Sequence, residues 1–423
     1  MIKKFTALPI ILIALIAAIA FFKEKKPTAK ISLVSNSRCD RAYQIRVKSD
    51  VIYAKFKFKS AGVLRDVPEK RGIAVIVADL LSRRINGLSP AETKEKLAEL
   101  GVNDFSINAS GDDFIVSFCA LKDNAAKAFE FLSSIFDDPK FSKNDLEFVK
   151  EKYPRILDAD ESHPQELLFE KLMSVLYRDH NYGLSDSGTS QSVSSVTEED
   201  VRNFIKLNLT KNNLEVFFTG DMSQAKIESY IKTLFSKLPR AFENKNDDIS
   251  SSPLSEEKED TIHKKNMENV VGIMQGVRID KLNKIERAAT RIIIETLFDR
   301  KTGLFCEGLR SQNIAYEVDY HFLQRKLSNV LYFTVYLDKK DLKKYKDYLK
   351  NCFELKLSDL NEILREKKRL IASSKNGFAG VANLDEKTKL DSLPFGEITL
   401  EILANVAKKI FDESKTRTVY IMQ

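Results

Sequence analysis

The sequence contains few of the residues that build metal and redox sites. Its 423 residues include only four histidines and four cysteines. No histidine has a second histidine or a cysteine at ligand spacing, and no Cys-x-x-Cys pair occurs. This composition predicts that the chain binds no metal by itself. We expect all four histidines in loops or on the surface: His163, His180, His263 and His321.

The cysteines lie far apart, at Cys39, Cys119, Cys306 and Cys352. In an oxidising compartment they could form disulfides, whereas Cys119 and Cys352 lie in apolar patterns typical of buried thiols. Spacing alone does not decide between these alternatives. The sequence also lacks a Gly-rich phosphate loop and a serine nucleophile elbow, so no motif indicates nucleotide binding or serine hydrolysis.

The positive charge is concentrated at the start of the chain. Six lysines and one glutamate in residues 1–30 carry +5 of the formal net charge of +7. The remaining charge of +2 is too small to favour a polyanionic partner, so we predict no nucleic-acid binding.

These lysines flank an apolar run at residues 7–22. A basic start, an apolar stretch and small residues near its end are typical of an export signal. Residues 1–22 are therefore predicted as a cleaved signal peptide or, alternatively, a retained membrane anchor. Either form places the rest of the chain in the periplasm or cell envelope.

The chain contains a long-period duplication. A strand pattern at residues 114–119 leads into a helix pattern at 125–132, and the same order recurs at 332–337 and 342–349. This offset of roughly 200 residues predicts two α+β lobes of the same kind, each an antiparallel sheet backed by helices.

A second pair of segments repeats at a similar offset, because the helix and strand patterns of residues 196–218 return at 398–421. Between the two copies, residues 241–262 are rich in Ser, Asp and Glu and have no periodicity, as in a solvated linker. The sequence thus predicts an N-terminal lobe at residues 30–240 and a C-terminal lobe at 263–423.

An apolar helix pattern begins after Gly72 and follows the alternating strand pattern of residues 51–59. This order resembles the opening of the pitrilysin-like (insulinase) metallopeptidases, whose helix carries an inverted zinc motif, His-x-x-Glu-His, after Gly-x-Ala. In this chain the two histidine positions hold Val75 and Asp79, and the glutamate position holds Ala78. The resemblance extends over most of the chain after residue 30.

The resemblance implies a degenerate zinc site. In such motifs two imidazoles hold Zn²⁺ and a carboxylate deprotonates the bound water. Valine does not ligate zinc and alanine accepts no proton, while one carboxylate does not make a tight zinc site. The family's third ligand, a glutamate, falls at or beside Ile156. Glu151 and Asp158 lie nearby.

Residues 303–318 are similar to the family's second-lobe signature, in which a tyrosine follows an arginine by six residues. Here the pair is Arg310 and Tyr316. The resemblance implies that both bind substrate, since a guanidinium and a phenol can hold peptide carbonyls and stabilise an oxyanion. The family usually has glycine where this chain has Asn313, a residue that tolerates a left-handed turn.

The resemblance as a whole implies a non-catalytic, substrate-binding subunit of a heterodimeric zinc endopeptidase. No residue of this chain is catalytic alone, the partner supplies zinc, and unfolded peptides add as a strand near residues 103–110. Two alternatives remain at this stage: an inactive scaffold, or a peptide-binding chaperone of the same fold. A stand-alone peptidase is disfavoured because its ligands are missing.

Overall fold

A computed structural model describes residues 31–33, 42–109, 111–137, 139–160, 163–239, 253–265, 267–299, 303–315, 318–352 and 394–423, together with residues 363, 365, 368 and 369. The predicted signal or anchor at residues 1–22 lies outside these ranges, as does most of the predicted linker. Among the residues that are described, no helix combines the length and apolar character needed to cross a bilayer.

The first sheet has six strands in the order β1-β2-β6-β3-β5-β4. Its neighbours pair antiparallel except β2 and β6, which are parallel. The strands are β1 (Ile31–Leu33), β2 (Ala42–Ile45), β3 (Val51–Phe58), β4 (Val102–Asn108), β5 (Phe114–Leu121) and β6 (Leu214–Thr219).

The second sheet has five strands in the order β7-β11-β8-β10-β9, with one parallel pair, β7 and β11. The strands are β7 (Glu259–His263), β8 (Val270–Ile279), β9 (Val318–Gln324), β10 (Asn329–Asp338) and β11 (Thr416–Met422). This order repeats that of β2-β6-β3-β5-β4, so the predicted α+β class and the two similar lobes are confirmed. Each sheet is mixed rather than wholly antiparallel, and β7 begins inside the predicted linker.

Twelve α-helices whose bounds lie within the described ranges surround the sheets. Several begin at a capping box, as at Ser89, Thr197 and Asn283, where the side chain accepts the third amide of the helix. The helices are α1 (Ile73–Arg83), α2 (Pro90–Glu99), α3 (Ala125–Ser133), α4 (Lys143–Asp160), α5 (Pro164–Leu176), α6 (Ser190–Ser194), α7 (Glu198–Asn208), α8 (Gln224–Lys237), α9 (Lys284–Phe298), α10 (Leu304–Ser311), α11 (Leu342–Cys352) and α12 (Leu400–Ile410).

Each lobe has its own apolar core between one face of the sheet and its helices. In the first lobe Phe56 and Phe129 meet edge to face at 5.4 Å, and in the second Phe298 and Phe333 stack at 5.4 Å. Such burial is the main favourable term in folding. The alternating strand patterns and the helical patterns of the sequence correspond to these two cores.

A third apolar cluster joins the lobes through α5. This helix follows α4 of the first lobe in sequence but packs against β8 and β11 of the second sheet. Leu168, Leu172 and Leu176 on α5 are fully buried. Gly276 in β8 permits the close approach, because a Cβ there would lie 2.8 Å from Leu172 Cδ2.

A polar junction joins the two edge hairpins beside this cluster. Asp112, in the β4–β5 turn, accepts hydrogen bonds from Tyr182 Oη and from Lys326 N in the β9–β10 turn, both at 2.5 Å. The Arg325 guanidinium lies 4.6 Å from the centre of the Tyr182 ring. Burial raises the pKa of Asp112, and the hydrogen bonds oppose that shift. The turns therefore fix one edge strand relative to the other.

Candidate functional site

Helix α1 starts from a glycine in a left-handed conformation. Gly72 has φ of +95°, and a Cβ there would lie 2.6 Å from Ser187 O. The carboxylate of Asp66 replaces a local cap by accepting the amides of Gly72 at 2.8 Å and Ala74 at 3.2 Å. Glycine at this position of the sequence is therefore required by the backbone.

Arg71 anchors the same helix start to the loop before α6. Its buried guanidinium donates to the carbonyls of Val63, Asn181 and Ser185. It also forms an ion pair with Asp186 at 3.3 Å. Because a buried guanidinium needs such partners, these contacts fix the position at which α1 begins.

We predict that Asp66 makes stability depend on pH. Burial raises its pKa to about 7, against the opposing effects of Arg71 and the two amides. Between about pH 4 and pH 7 the native state holds a proton that the unfolded state releases, so stability falls as pH rises through this window. The contribution is about 4 kcal/mol at most. Denaturant unfolding at pH 5 and pH 8 measures the part of this contribution that falls above pH 5.

The control for this prediction is Asp66→Asn, which does not titrate. The variant loses hydrogen bonds at every pH, but its stability difference between pH 5 and pH 8 should be smaller than that of the unchanged protein. Equal differences in the two proteins would show that Asp66 is ionised throughout this range.

An ion pair stands where the resemblance places a zinc site. Helix α1 packs against α4 and β4, and Lys152 Nζ on α4 contacts Asp79 Oδ2 at 2.8 Å. Tyr153 Oη donates to the carbonyl of Val75 at 3.4 Å, and Ala78 is buried. The side chain of Ile156 lies outside the described residues. This arrangement offers a neutralised carboxylate rather than a set of metal ligands.

Within the described ranges, the histidines and cysteines do not supply ligands in its place. His180 Nδ1 accepts the amide of Tyr182, and His321 stacks on Tyr332 at 5.0 Å. The described ranges contain no group of three or more His, Cys, Asp or Glu residues that could hold a metal ion. Cys119 and Cys306 are thiols, half-buried and buried respectively. Cys39 and the side chain of Cys352 lie outside the described part.

The second-lobe signature is partly described. Arg310 lies in the last turn of α10, and Asn313, two residues beyond the end of that helix, has φ of +53°. The amide of Ile314 bonds to Leu309 O at 2.9 Å, so this end is a Schellman-type cap. Asn313 thus adopts the left-handed conformation that its residue type tolerates. Tyr316 lies outside the described residues, and the pairing of Arg310 with Tyr316 stays a prediction.

Among the described strands, β4 lies at one edge of the first sheet. The prediction that a peptide adds near residues 103–110 requires such an edge. The backbone of β4 bulges at Asp104, where φ is +53° and the register with β5 shifts. Beyond the bulge, Ser106 Oγ contacts Ser117 Oγ of β5 at 2.9 Å. Ser110 lies outside the described residues. The outer side of β4 is paired with no other described strand, and such an edge can accept an extended peptide.

Asp66, Arg71 and Lys152 are not among the site residues predicted from the sequence. The partners of Arg71 and Lys152 lie too far along the chain for any spacing rule, since Ser185 follows Arg71 by 114 residues and Lys152 follows Asp79 by 73. Asp66 lies only six residues before Gly72, but outside the positions at which a helix cap is read from sequence. Gly72 was the only local signal. It indicated where α1 begins but not which side chains hold that end of the helix.

Two family profiles match the chain. Residues 59–190 match the profile of the insulinase family, peptidase family M16. Residues 195–373 match the profile described as the peptidase M16 inactive domain. This chain belongs to the M16 family. The matches support a non-catalytic M16-like subunit, and the resemblance seen in the sequence is confirmed.

Individual M16 proteins agree with this assignment. An uncharacterized zinc protease of Rickettsia felis is 25% identical over 173 residues, which cover 40% of this chain and 41% of that protein. The chain thus matches less than half the length of this curated relative.

Solved structures match over a larger share. A peptidase M16 inactive domain from Pseudomonas fluorescens has a TM-score of 0.78 at 18% identity, covering 93% of this chain and 98% of that chain. The first half of the periplasmic protease PqqL from Escherichia coli has a TM-score of 0.71 at 16% identity, covering 94% and 92%. These likenesses confirm the fold.

Proposed function

We propose that this M16 chain is the non-catalytic, substrate-binding subunit of a heterodimeric zinc endopeptidase that acts on unfolded peptides. The observation that carries the proposal is the ion pair between Asp79 and Lys152 at the position of a zinc ligand. With Val75 and Ala78 at the other motif positions, Asp79 is a single carboxylate paired with an ammonium, which does not make the tight zinc site that activates water. Zinc is therefore assigned to the partner.

The second lobe supports a role in substrate binding. Arg310 lies in the last helical turn of α10, and Asn313 after the helix keeps the turn geometry for which the family usually has glycine. In the proposed complex Arg310 and Tyr316 reach the scissile peptide in trans. Donors of this kind stabilise the oxyanion of the transition state.

The first lobe supports recognition of extended peptides. The outer side of β4 can bind a peptide backbone through main-chain hydrogen bonds, which depend little on side-chain identity. A subunit with this edge and without zinc suits unfolded substrates, whose backbone groups are accessible.

The proposed location is the periplasm or cell envelope. The support is the apolar run at residues 7–22 and the fold shared with a protein described as a periplasmic protease. That comparison structure is the first half of PqqL, and a zinc-bearing M16 chain is the partner that we propose for this one.

The direct test is reconstitution with a zinc-bearing M16 chain from the same source. We expect the purified chain alone to hold less than about a tenth of an equivalent of zinc and to cleave no peptide, because a single carboxylate binds zinc weakly. The co-purified pair should cleave unfolded peptides and lose that activity with a chelator. The matched control is a partner whose zinc ligands are replaced by alanine.

Three outcomes contradict the proposal. Chelator-sensitive cleavage by the isolated chain would show a complete site. A stable pair whose cleavage does not depend on this chain would favour the scaffold. Suppression of aggregation by the chain alone, with no pairing, would favour the chaperone.

A further inference from the structure

The ion pair between Asp79 and Lys152 has a counterpart in the second lobe. There Arg369 Nη2 contacts Glu295 Oε2 at 2.7 Å. The partners are 73 residues apart in the first pair and 74 in the second. The correspondence between the two ion pairs rests on sequence separations within one chain. It therefore does not depend on the family comparison.

The two pairs occupy equivalent places in the duplicated fold. Asp79 lies in α1 and Glu295 in α9, the helices that follow β3 and β8, the middle strands of the repeated order. Glu295 follows Asp79 by 216 positions and Arg369 follows Lys152 by 217, while β8 begins 219 positions after β3. The same mapping places Arg291 opposite Val75, and Arg291 Nη2 contacts Glu295 Oε1 at 2.6 Å.

Both pairs have the same burial pattern. The carboxylates are largely buried, with side chains 13% exposed for Asp79 and 6% for Glu295, whereas Lys152 and Arg369 are 45% and 50% exposed. A buried carboxylate without a partner is costly. Each base therefore fixes where a distant part of its lobe lies against the helix.

We propose that Lys152 and Arg369 are equivalent positioning residues, and that Lys152 holds α1 to α4 at the place where a metal ion would otherwise join them. The ammonium supplies the positive charge that Asp79 requires. Helix α1 also packs against β4 and α9 against β9, so each pair positions the helix behind an edge strand. This inference goes beyond the proposed function, because it concerns the isolated chain and requires no partner.

The test replaces the cation by a carboxylate. Lys152→Glu places two carboxylates on facing helices, and in EDTA we expect the midpoint of thermal unfolding to fall by at least about 3 °C. Added Mn²⁺ should raise the midpoint again, because oxygen ligands from both helices can hold a divalent cation. The same Mn²⁺ should leave the unchanged protein unaffected. If Lys152 stabilised the protein only through packing, Mn²⁺ would not restore the midpoint of Lys152→Glu.

The matched control is Lys96→Glu. Lys96 is 44% exposed and pairs with Glu99 inside α2, so its reversal changes net charge equally without joining two elements. Lys152→Arg should keep the midpoint of the unchanged protein. If Lys152→Glu does not fold, Lys152→Met and Arg369→Met should each lower the midpoint more than Lys96→Met.

The proposal is overturned if Lys152→Glu in EDTA unfolds at the midpoint of Lys96→Glu, or if Mn²⁺ shifts both variants equally. It is also overturned if neither methionine variant is less stable than the Lys96 control.

Discussion

In the reconstituted pair, Arg310→Ala should lower kcat by about 10² to 10³ while KM changes much less. The expected size is that of removing one donor to a developing oxyanion. A donor used mainly in the transition state affects turnover rather than ground-state binding. Steady-state cleavage of a fluorogenic unfolded peptide measures both constants.

Arg202→Ala is the matched control for Arg310, since Arg202 is 43% exposed on α7 and pairs with Glu198 within that helix. Its kcat should equal that of the unchanged pair. Tyr316→Phe, which removes only the hydroxyl, tests the other half of the predicted signature. Unchanged turnover by Arg310→Ala in a correctly assembled pair would exclude the role in trans and favour a scaffold.

Proline in β4 should weaken peptide binding about fivefold, since one outward amide is lost and each main-chain hydrogen bond contributes about 1 kcal/mol. Consecutive residues of an edge strand direct their amides to opposite sides. Of Ser106→Pro and Ile107→Pro, one therefore removes a bond to β5 and destabilises the sheet, while the other removes an outward amide. Anisotropy of a labelled unfolded peptide measures the affinity of the folded variant.

Ser106→Ala and Ile107→Ala are the controls, because they keep both amides and should bind as the unchanged protein does. Hydrogen exchange at residues 105–108 should also slow when the peptide is added. Full affinity in a folded variant whose outward amide is gone would place the binding surface elsewhere.

The sequence predicted features that depend on local patterns. Alternation in residues 51–59 and the repeated strand and helix order indicated β3, α1 and two equivalent lobes, because the periodicity of each element appears within about ten residues. The residues at the three positions of the zinc motif, Val75, Ala78 and Asp79, could likewise be assigned because one helix resembles the family's motif helix. Asn313 could be assigned to a left-handed turn because that property belongs to the residue itself.

Features that depend on distant partners were not predicted. The parallel pairing of β2 with β6 and of β7 with β11 joins segments that no local pattern relates. In the sequence, Lys152 looks like any lysine on an exposed helix face. Only the packing of α4 on α1 makes it the partner of Asp79. Strand β7 begins inside the predicted linker, where a short exposed strand has too little apolar alternation to be read from the sequence.

The crossing of α5 has a consequence for how the protein can be divided. Leu168, Leu172 and Leu176 belong to the amino-terminal copy in sequence, but their helix packs on β8 and β11 of the carboxy-terminal copy. Cleavage near residue 245 would leave the amino-terminal fragment with the apolar face of α5 exposed. The carboxy-terminal fragment would have one face of its sheet uncovered. We therefore expect the two copies to fold as one unit. A chimera of two homologues should take α5 from the same parent as the carboxy-terminal sheet that it covers.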